Sequence, residues 1–179
     1  MPLIILLILF FQNTSLDKNT LLICKNVKTT LFSEAPLENI EAKSGTGISV
    51  LNPISGELQF VIPIRSLEFN KRLMQEHFNE NYMESERYPH AKFKGKIAEP
   101  INMEKNGEYP VNVTGELDVH GVKRQRSVKG IMKVQDKKIS LSSVFDVKCK
   151  DHNIKIPQIV FQKIAENIRI TINSTYISQ

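Results

Sequence analysis

Asp118 and His120 stand two apart in the run GELDVHGV. On a strand, residues at i and i+2 share a face, so a carboxylate would lie beside an imidazole it could orient. That is half of a nucleophile-activating set. The other half is missing: no G-x-S-x-G elbow or comparable nucleophile motif occurs. A solvated or hydrogen-bonded turn pair is the plainer reading, and a hydrolase using Asp118 and His120 is the reading the residues support least. Metal chemistry has as little support. His77, His90, His120 and His152 are scattered, without H-x-x-x-H or C-x-x-C spacing, although His120 and His152 could meet in space. Cys24 and Cys149 are the two cysteines. They could pair in an exported protein, but burial as small hydrophobes is the expectation. No catalytic residue, metal or cofactor is expected, and the chain is read as a non-enzyme.

The cations suggest contact rather than catalysis. Lys and Arg number 24 against 19 Asp and Glu, for a formal charge of +5. Lys92, Lys94 and Lys96 form one row, and Lys123, Arg124, Arg126, Lys129 and Lys133 run along a second strand. Such rows serve as solvated outer faces that discourage edge-to-edge association. The sharper alternative is peripheral attraction to an anionic membrane. Aromatic residues do not interleave with these cations, so nucleic acid is not an expected partner.

The elements that would carry these residues are mostly strands. Leu58, Phe60, Ile62 and Ile64 alternate with polar neighbours, the period of a half-buried strand. The same period recurs at Ala91, Phe93, Gly95 and Ile97. It returns at Tyr109, Val111, Val113, Gly115, Leu117 and Val119, then at Ile139 to Cys149, then at Ile168, Ile170 and Ile172. Upstream, LLICKNV and KTTLFS read as two short β runs, Ser44 to Gly47 as a loop, Ile48 to Leu51 as a short strand and Asn52-Pro53 as a turn. Asn106-Gly107 is a hairpin signal, and Asp136-Lys137-Lys138 turns the long basic strand back. Two stretches break the pattern. Phe69, Leu73, Met74 and Phe78 fall at helical spacing, ended by Asn79-Glu80-Asn81, and Tyr82, Met83 and Tyr88-Pro89 follow as an aromatic-rich loop. Asp151 to Glu166 mixes a loop around Pro157 with a helical turn at Val160 to Glu166. Eight or nine antiparallel strands close into a barrel or pack as a sandwich; one helical interruption favours a barrel with helical cover.

The inward set would either fill that barrel or line a cavity, and the sequence leaves this open. The candidate lining or mouth residues are Phe60, Ile62, Phe78, Tyr82, Met83, Tyr88, Phe93, Val113, Leu117, Val119, Phe145, Val147 and Ile170. At the start, Leu3 to Phe11 is an unbroken apolar run followed by small polar residues. It is too short to span a bilayer but suits the h-region of a secretory signal, although no Lys or Arg precedes it; the alternative is a buried N-terminal strand. Residues 1–15 are read as a signal peptide and 16–179 as one domain.

Two motifs carry a resemblance. Arg87-Tyr88-Pro89-His90-Ala91-Lys92-Phe93-Lys94-Gly95 is similar to the YP-x-x-x-F segment of the YceI-like family, and Gly115-Glu116-Leu117-Asp118-Val119-His120-Gly121-Val122 resembles its G-x-L-x-x-H-G-V strand and turn. The match runs from about Phe32 to Tyr176. Lys123-Arg124 stands where the family often has Thr-Lys, and HFNENYMES departs from its usual helix pattern. The resemblance implies a mainly β fold: an elongated eight-stranded antiparallel β-barrel, lipocalin-like, with one or two short covering helices. It implies export to the periplasm or beyond, and non-catalytic binding of a long-chain apolar amphiphile such as a polyisoprenoid, an isoprenoid quinone or a fatty-acid-like lipid. The competing expectation is a filled-barrel structural or stress-related protein of the cell envelope. A monomer or a homodimer is compatible with either.

Overall fold

The computed structural model describes residues 21–34, 39–99, 101–102, 104–156 and 165–177. Both the apolar N-terminal run and the expected helical turn after Pro157 lie essentially outside them. Among the described residues the strands are β1 (Leu22–Ser33), β2 (Ile40–Leu51), β3 (Glu57–Pro63), β4 (Glu68–Phe69), β5 (His90–Ile97), β6 (Gly107–Val119), β7 (Val122–Gln135), β8 (Lys138–Lys148) and β9 (Asn167–Ile177). One α-helix, α1 (Arg72–His77), runs into a π-helical turn at Phe78–Tyr82. The strands pair antiparallel in the order β1-β9-β8-β7-β6-β5-β3-β2, and β2 returns to β1. Eight strands therefore close a barrel, and the two-residue β4 lies along β2 outside the closure.

Period-two alternation positions the walls. In β5, Ala91, Phe93, Gly95 and Ile97 turn inward and the three lysines outward. Closure also needs strands that bend. β1 is one strand rather than two: Lys25 and Asn26 are both exposed, and the register against β2 shifts on either side of Val27. That is a bulge, which bends a strand while keeping its inner face apolar. The Ser44–Gly47 stretch read as a loop is the facing part of the same bend, inside β2. Gly47 is a glycine inside a strand, and a Cβ there would strike Ile62 and Val27. Gly95 and Gly115 face each other across β5 and β6. A Cβ on Gly115 would run into the Lys94 carbonyl and the Gly95 Cα, so this close approach of two backbones requires glycine.

The turns differ in one place from the sequence expectation. Asn106-Gly107 is not a tight hairpin. The connection from β5 to β6 takes residues 98–106, and the Asn106 side chain bonds the Asp136 backbone N–H at 2.9 Å, tying this loop to the β7–β8 turn. The two-residue hairpins are Asp136-Lys137 and His120-Gly121, each with both residues at positive φ. This is the twist that suits a β-ribbon.

Filling is uneven along the barrel axis. One half holds a packed cluster that includes Leu22, Val27, Leu51, Leu58, Ile97, Val111, Met132, Val134, Ile139, Leu141 and Tyr176. Each fully buried aliphatic residue there contributes about 1.5–3 kcal/mol. The Tyr176 hydroxyl sits among the buried Ser49 and Ser174 hydroxyls and accepts from Ser174 at 3.2 Å; burial pushes its phenol pKa up. Cys24 lies in this half, and Cys149 follows β8 at the opposite end. Both are buried and free. No described helix is long and apolar enough to cross a membrane.

Candidate functional site

The other half of the barrel is hollow. A cavity of about 650 Å³ lies between the packed cluster and the segment joining β3 to β5. This is the size of pockets that bury most of a small ligand. Its wall is built from inward positions of every barrel strand: Leu31 and Ile40 on β1 and β2, Phe60 and Ile62 on β3, Phe93 on β5, Val113, Leu117 and Val119 on β6, Val128 on β7, Phe145 and Val147 on β8, and Ile168, Ile170 and Ile172 on β9. Thr29, Ser33 and Ser143 add hydroxyls. The choice between a filled and a hollow barrel thus resolves by position along the axis.

The cover is assembled by hydrogen bonds to one side chain. Gln75 accepts from the Phe69 backbone N–H at 3.0 Å and donates to the Leu67 carbonyl at 2.8 Å, so α1 is held against β4. Phe69 and Phe78 then stack with ring centroids 4.8 Å apart. Leu73, Met74, Phe78, Tyr82 and Met83 reach the cavity from this side. Met83 is buried, and partial burial pushes the Tyr82 phenol pKa up. The helix does not stop at Asn79-Glu80-Asn81. These residues form the π turn, and the Asn79 amide bonds back to the Gln75 carbonyl at 2.9 Å.

Of the candidate lining residues, all but Tyr88 border the cavity. Tyr88 packs elsewhere. Its ring meets His120 at 4.5 Å, edge-on, and lies against Gly121, where a Cβ would collide with it. Gly121 also has φ +71, so glycine is required twice over. The Asp118–His120 pairing that the least supported reading, a hydrolase, would need does not form. His120 turns with φ +52, is almost fully buried, and sets Nδ1 3.1 Å from the His152 carbonyl and Nε2 2.8 Å from the Glu84 carboxylate. The His152 ring does not meet the His120 ring; its Nδ1 donates to the Val122 carbonyl at 3.0 Å. Arg65 continues the cluster, bonding the buried Ser85 hydroxyl at 3.2 Å and Glu86 at 3.0 Å. This end of the barrel is a latch. Glu84 and Tyr88 of the cover are bolted to His120 in the β6–β7 turn, which is itself tied to the 3-10 turn Cys149–His152, while Ser85 is held by Arg65.

Sequence reasoning missed Glu84, whose role depends on positive φ and a partner 36 residues away. It also missed Leu31, Ile40, Ile64, Leu67, Ile154 and Ile156 in the lining. The helical spacing of Leu73 and Met74 was the available signal for their place over the cavity. Among the described residues no three His, Cys, Asp or Glu side chains converge as a metal site would require. Burial raises the Cys149 thiol pKa to about 11, with the Glu166 charge adding to it, so at neutral pH this lining residue is a protonated thiol.

Known structures share this architecture. BcnA of Burkholderia cenocepacia aligns with a TM-score of 0.71 at 16% identity, over 83% of this chain and 95% of that one. A polyisoprenoid-binding domain from Saccharophagus degradans, implicated in plant cell wall breakdown, gives 0.74 at 12% identity, over 90% and 99%. The YceI protein of Campylobacter jejuni gives 0.59 at 18% identity, over 75% and 81%. No curated protein matches the chain. A family model for the YceI-like domain matches residues 26–176, the span from the β1 bulge to Tyr176 at the barrel floor, and the chain belongs to that family.

Proposed function

We propose that this protein binds a long-chain apolar amphiphile of the polyisoprenoid type in the hollow half of its barrel and performs no chemistry on it. The observation that carries this reading is the cavity itself: about 650 Å³, walled mostly by aliphatic and aromatic side chains from all eight barrel strands and bordered by a cover that brings Leu73, Met74, Phe78, Tyr82 and Met83 to it, with Lys71 and His77 at its edge. Moving a hydrocarbon chain from water into such a space is favourable by roughly 25 cal/mol per Å² of apolar surface buried. Met74, Met83, Phe78 and Tyr82 at the mouth can adapt to a flexible chain. The family and the polyisoprenoid-binding relative point to the same ligand class. The engagement of both His120 ring nitrogens in holding the cover agrees with a binding protein rather than a hydrolase. Residues 1–15 are proposed to direct export, which would place the protein in the periplasm or outside the cell.

The test is mass spectrometry of organic extracts from natively purified protein, joined to thermal shifts with quinones and polyprenols. A retained amphiphile, or a rise in Tm with chain length, is the expected result. Extracts without any amphiphile, together with no thermal shift for any of these compounds, would sink the reading.

A further inference from the structure

The barrel wall is parted in one place. β6 and β7 pair along their whole length, from Gly107↔Val134 to Val119↔Val122, and β8 and β9 likewise from Lys138↔Ile177 to Lys148↔Asn167. β7 and β8 pair only from Gln135↔Lys138 to Gly130↔Ser143. Beyond that point residues 122–129 and 144–148 have no strand partner on the facing side. The cavity reaches this seam, where Val128, Gly130, Ser143, Phe145 and Val147 are part of its lining.

Side chains bridge the seam instead of a ladder. Ser143 donates to the Lys129 carbonyl at 2.6 Å, Arg126 to the Asp146 carbonyl, and Arg124 to the Asp151 carbonyl at 2.9 Å. The two arginines are not members of an outer basic row. They stand opposite Gly115 and Leu117, on the inward register of β7, whereas Lys123 and Lys133 face out and are paired with Glu116 and Glu108. Among the described residues neither guanidinium meets a carboxylate. Arg124, which is exposed, and Arg126, which is half-buried, are each held by one neutral backbone carbonyl. A guanidinium in this state prefers an oxyanion, which it can grip with two parallel N–H bonds. Positions two apart on one strand set their Cα atoms about 7 Å apart, so two flexible side chains can converge on one phosphate-sized group.

We propose that the seam between β7 and β8 is a headgroup site, in which Arg124 and Arg126 exchange the Asp151 and Asp146 carbonyls for the phosphate-type oxyanion of an amphiphile whose tail lies in the cavity. This rests on the cavity reading above. It adds that the ligand is anionic and that its head emerges through the wall rather than beneath the cover.

Titrating the full-length protein with geranylgeranyl phosphate, geranylgeraniol and inorganic phosphate tests this. The phosphate ester is expected to bind at least tenfold tighter than the alcohol, with the preference shrinking as salt is raised. An Arg124→Gln/Arg126→Gln variant should bring the two within about twofold, and Lys123→Gln should leave the preference intact. If the Gln pair fails to fold, Arg124→Lys/Arg126→Lys keeps the charge and loses the fork, and a reduced preference is expected there. Equal affinity for ester and alcohol in the native protein would overturn the headgroup site while leaving the cavity reading in place. Inorganic phosphate binding as tightly as the ester would overturn it too, showing a free-anion site. Binding of none of the three would overturn the headgroup site and, together with amphiphile-free extracts and no thermal shift with quinones or polyprenols, the cavity reading as well.

Discussion

Cys149 ties a single side chain to a measurable pH dependence. Burial lifts its thiol from 9.0 to about 11. The folded chain therefore keeps a proton that the unfolded chain releases. The stabilisation is complete below pH 9 and is lost as pH climbs from 9 toward 11, to an extent of about 1–2 kcal/mol. Buried Tyr176, also raised, acts in the same direction above pH 10. Urea unfolding of native and Cys149→Ser protein at pH 8 and pH 10.5 should show the native protein losing more stability over this range. Equal losses would remove Cys149 from the explanation. The same burial makes both thiols slow to alkylate until the chain unfolds. At this scale the sequence was a good guide to which residues face inward. It was a poor guide to His120, because the residue sits in a left-handed turn and period-two reasoning assumes an extended backbone.

Elements are held by close approaches that the alternation of side chains does not reveal. The Gly95–Gly115 contact brings β5 and β6 together at backbone distance. Gly115→Ala should cost about 1–3 kcal/mol, whereas Gly45→Ala, with open space around it, should stay within about 0.5 kcal/mol. Paired thermal melts would check the contrast, and equal effects would contradict it. The latch at the other end predicts a local effect. His120→Asn keeps a residue that tolerates positive φ, yet cannot bridge Glu84 and the His152 carbonyl together. A loss of about 1–3 kcal/mol is expected. Hydrogen exchange should quicken in residues 64–90 while the packed half stays protected; uniform acceleration would argue against a latch. The Ser44–Gly47 stretch was misread for a related reason. Glycines at a strand bend look like loop glycines until the facing bulge in β1 is known. The strands flanked by clean alternation, β3, β5, β6 and β8, were legible throughout.

At the scale of the whole molecule, the barrel divides into a packed floor and a hollow upper chamber. Inward residues of both halves are the same types at the same period, so the sequence could identify the wall but not the void. What separates the halves is geometry: bulges in β1 and β2, the parted β7–β8 seam, and a cover that spans the chamber rather than entering it. The seam also explains why Arg124 and Arg126 looked like outer cations. Their inward register becomes visible only once β7 is paired with β6. The central claim is that the chamber is a ligand chamber, and the most direct test compares amphiphile content in two proteins. Ile170 is a half-buried chamber residue on β9, and Ile170→Trp would occupy part of the space from within. Organic extracts of natively purified protein should yield a stoichiometric long-chain amphiphile from the native chain and at least tenfold less from the Trp variant, with both folded by circular dichroism. The same amphiphile content in both proteins, or none in either, would contradict the account.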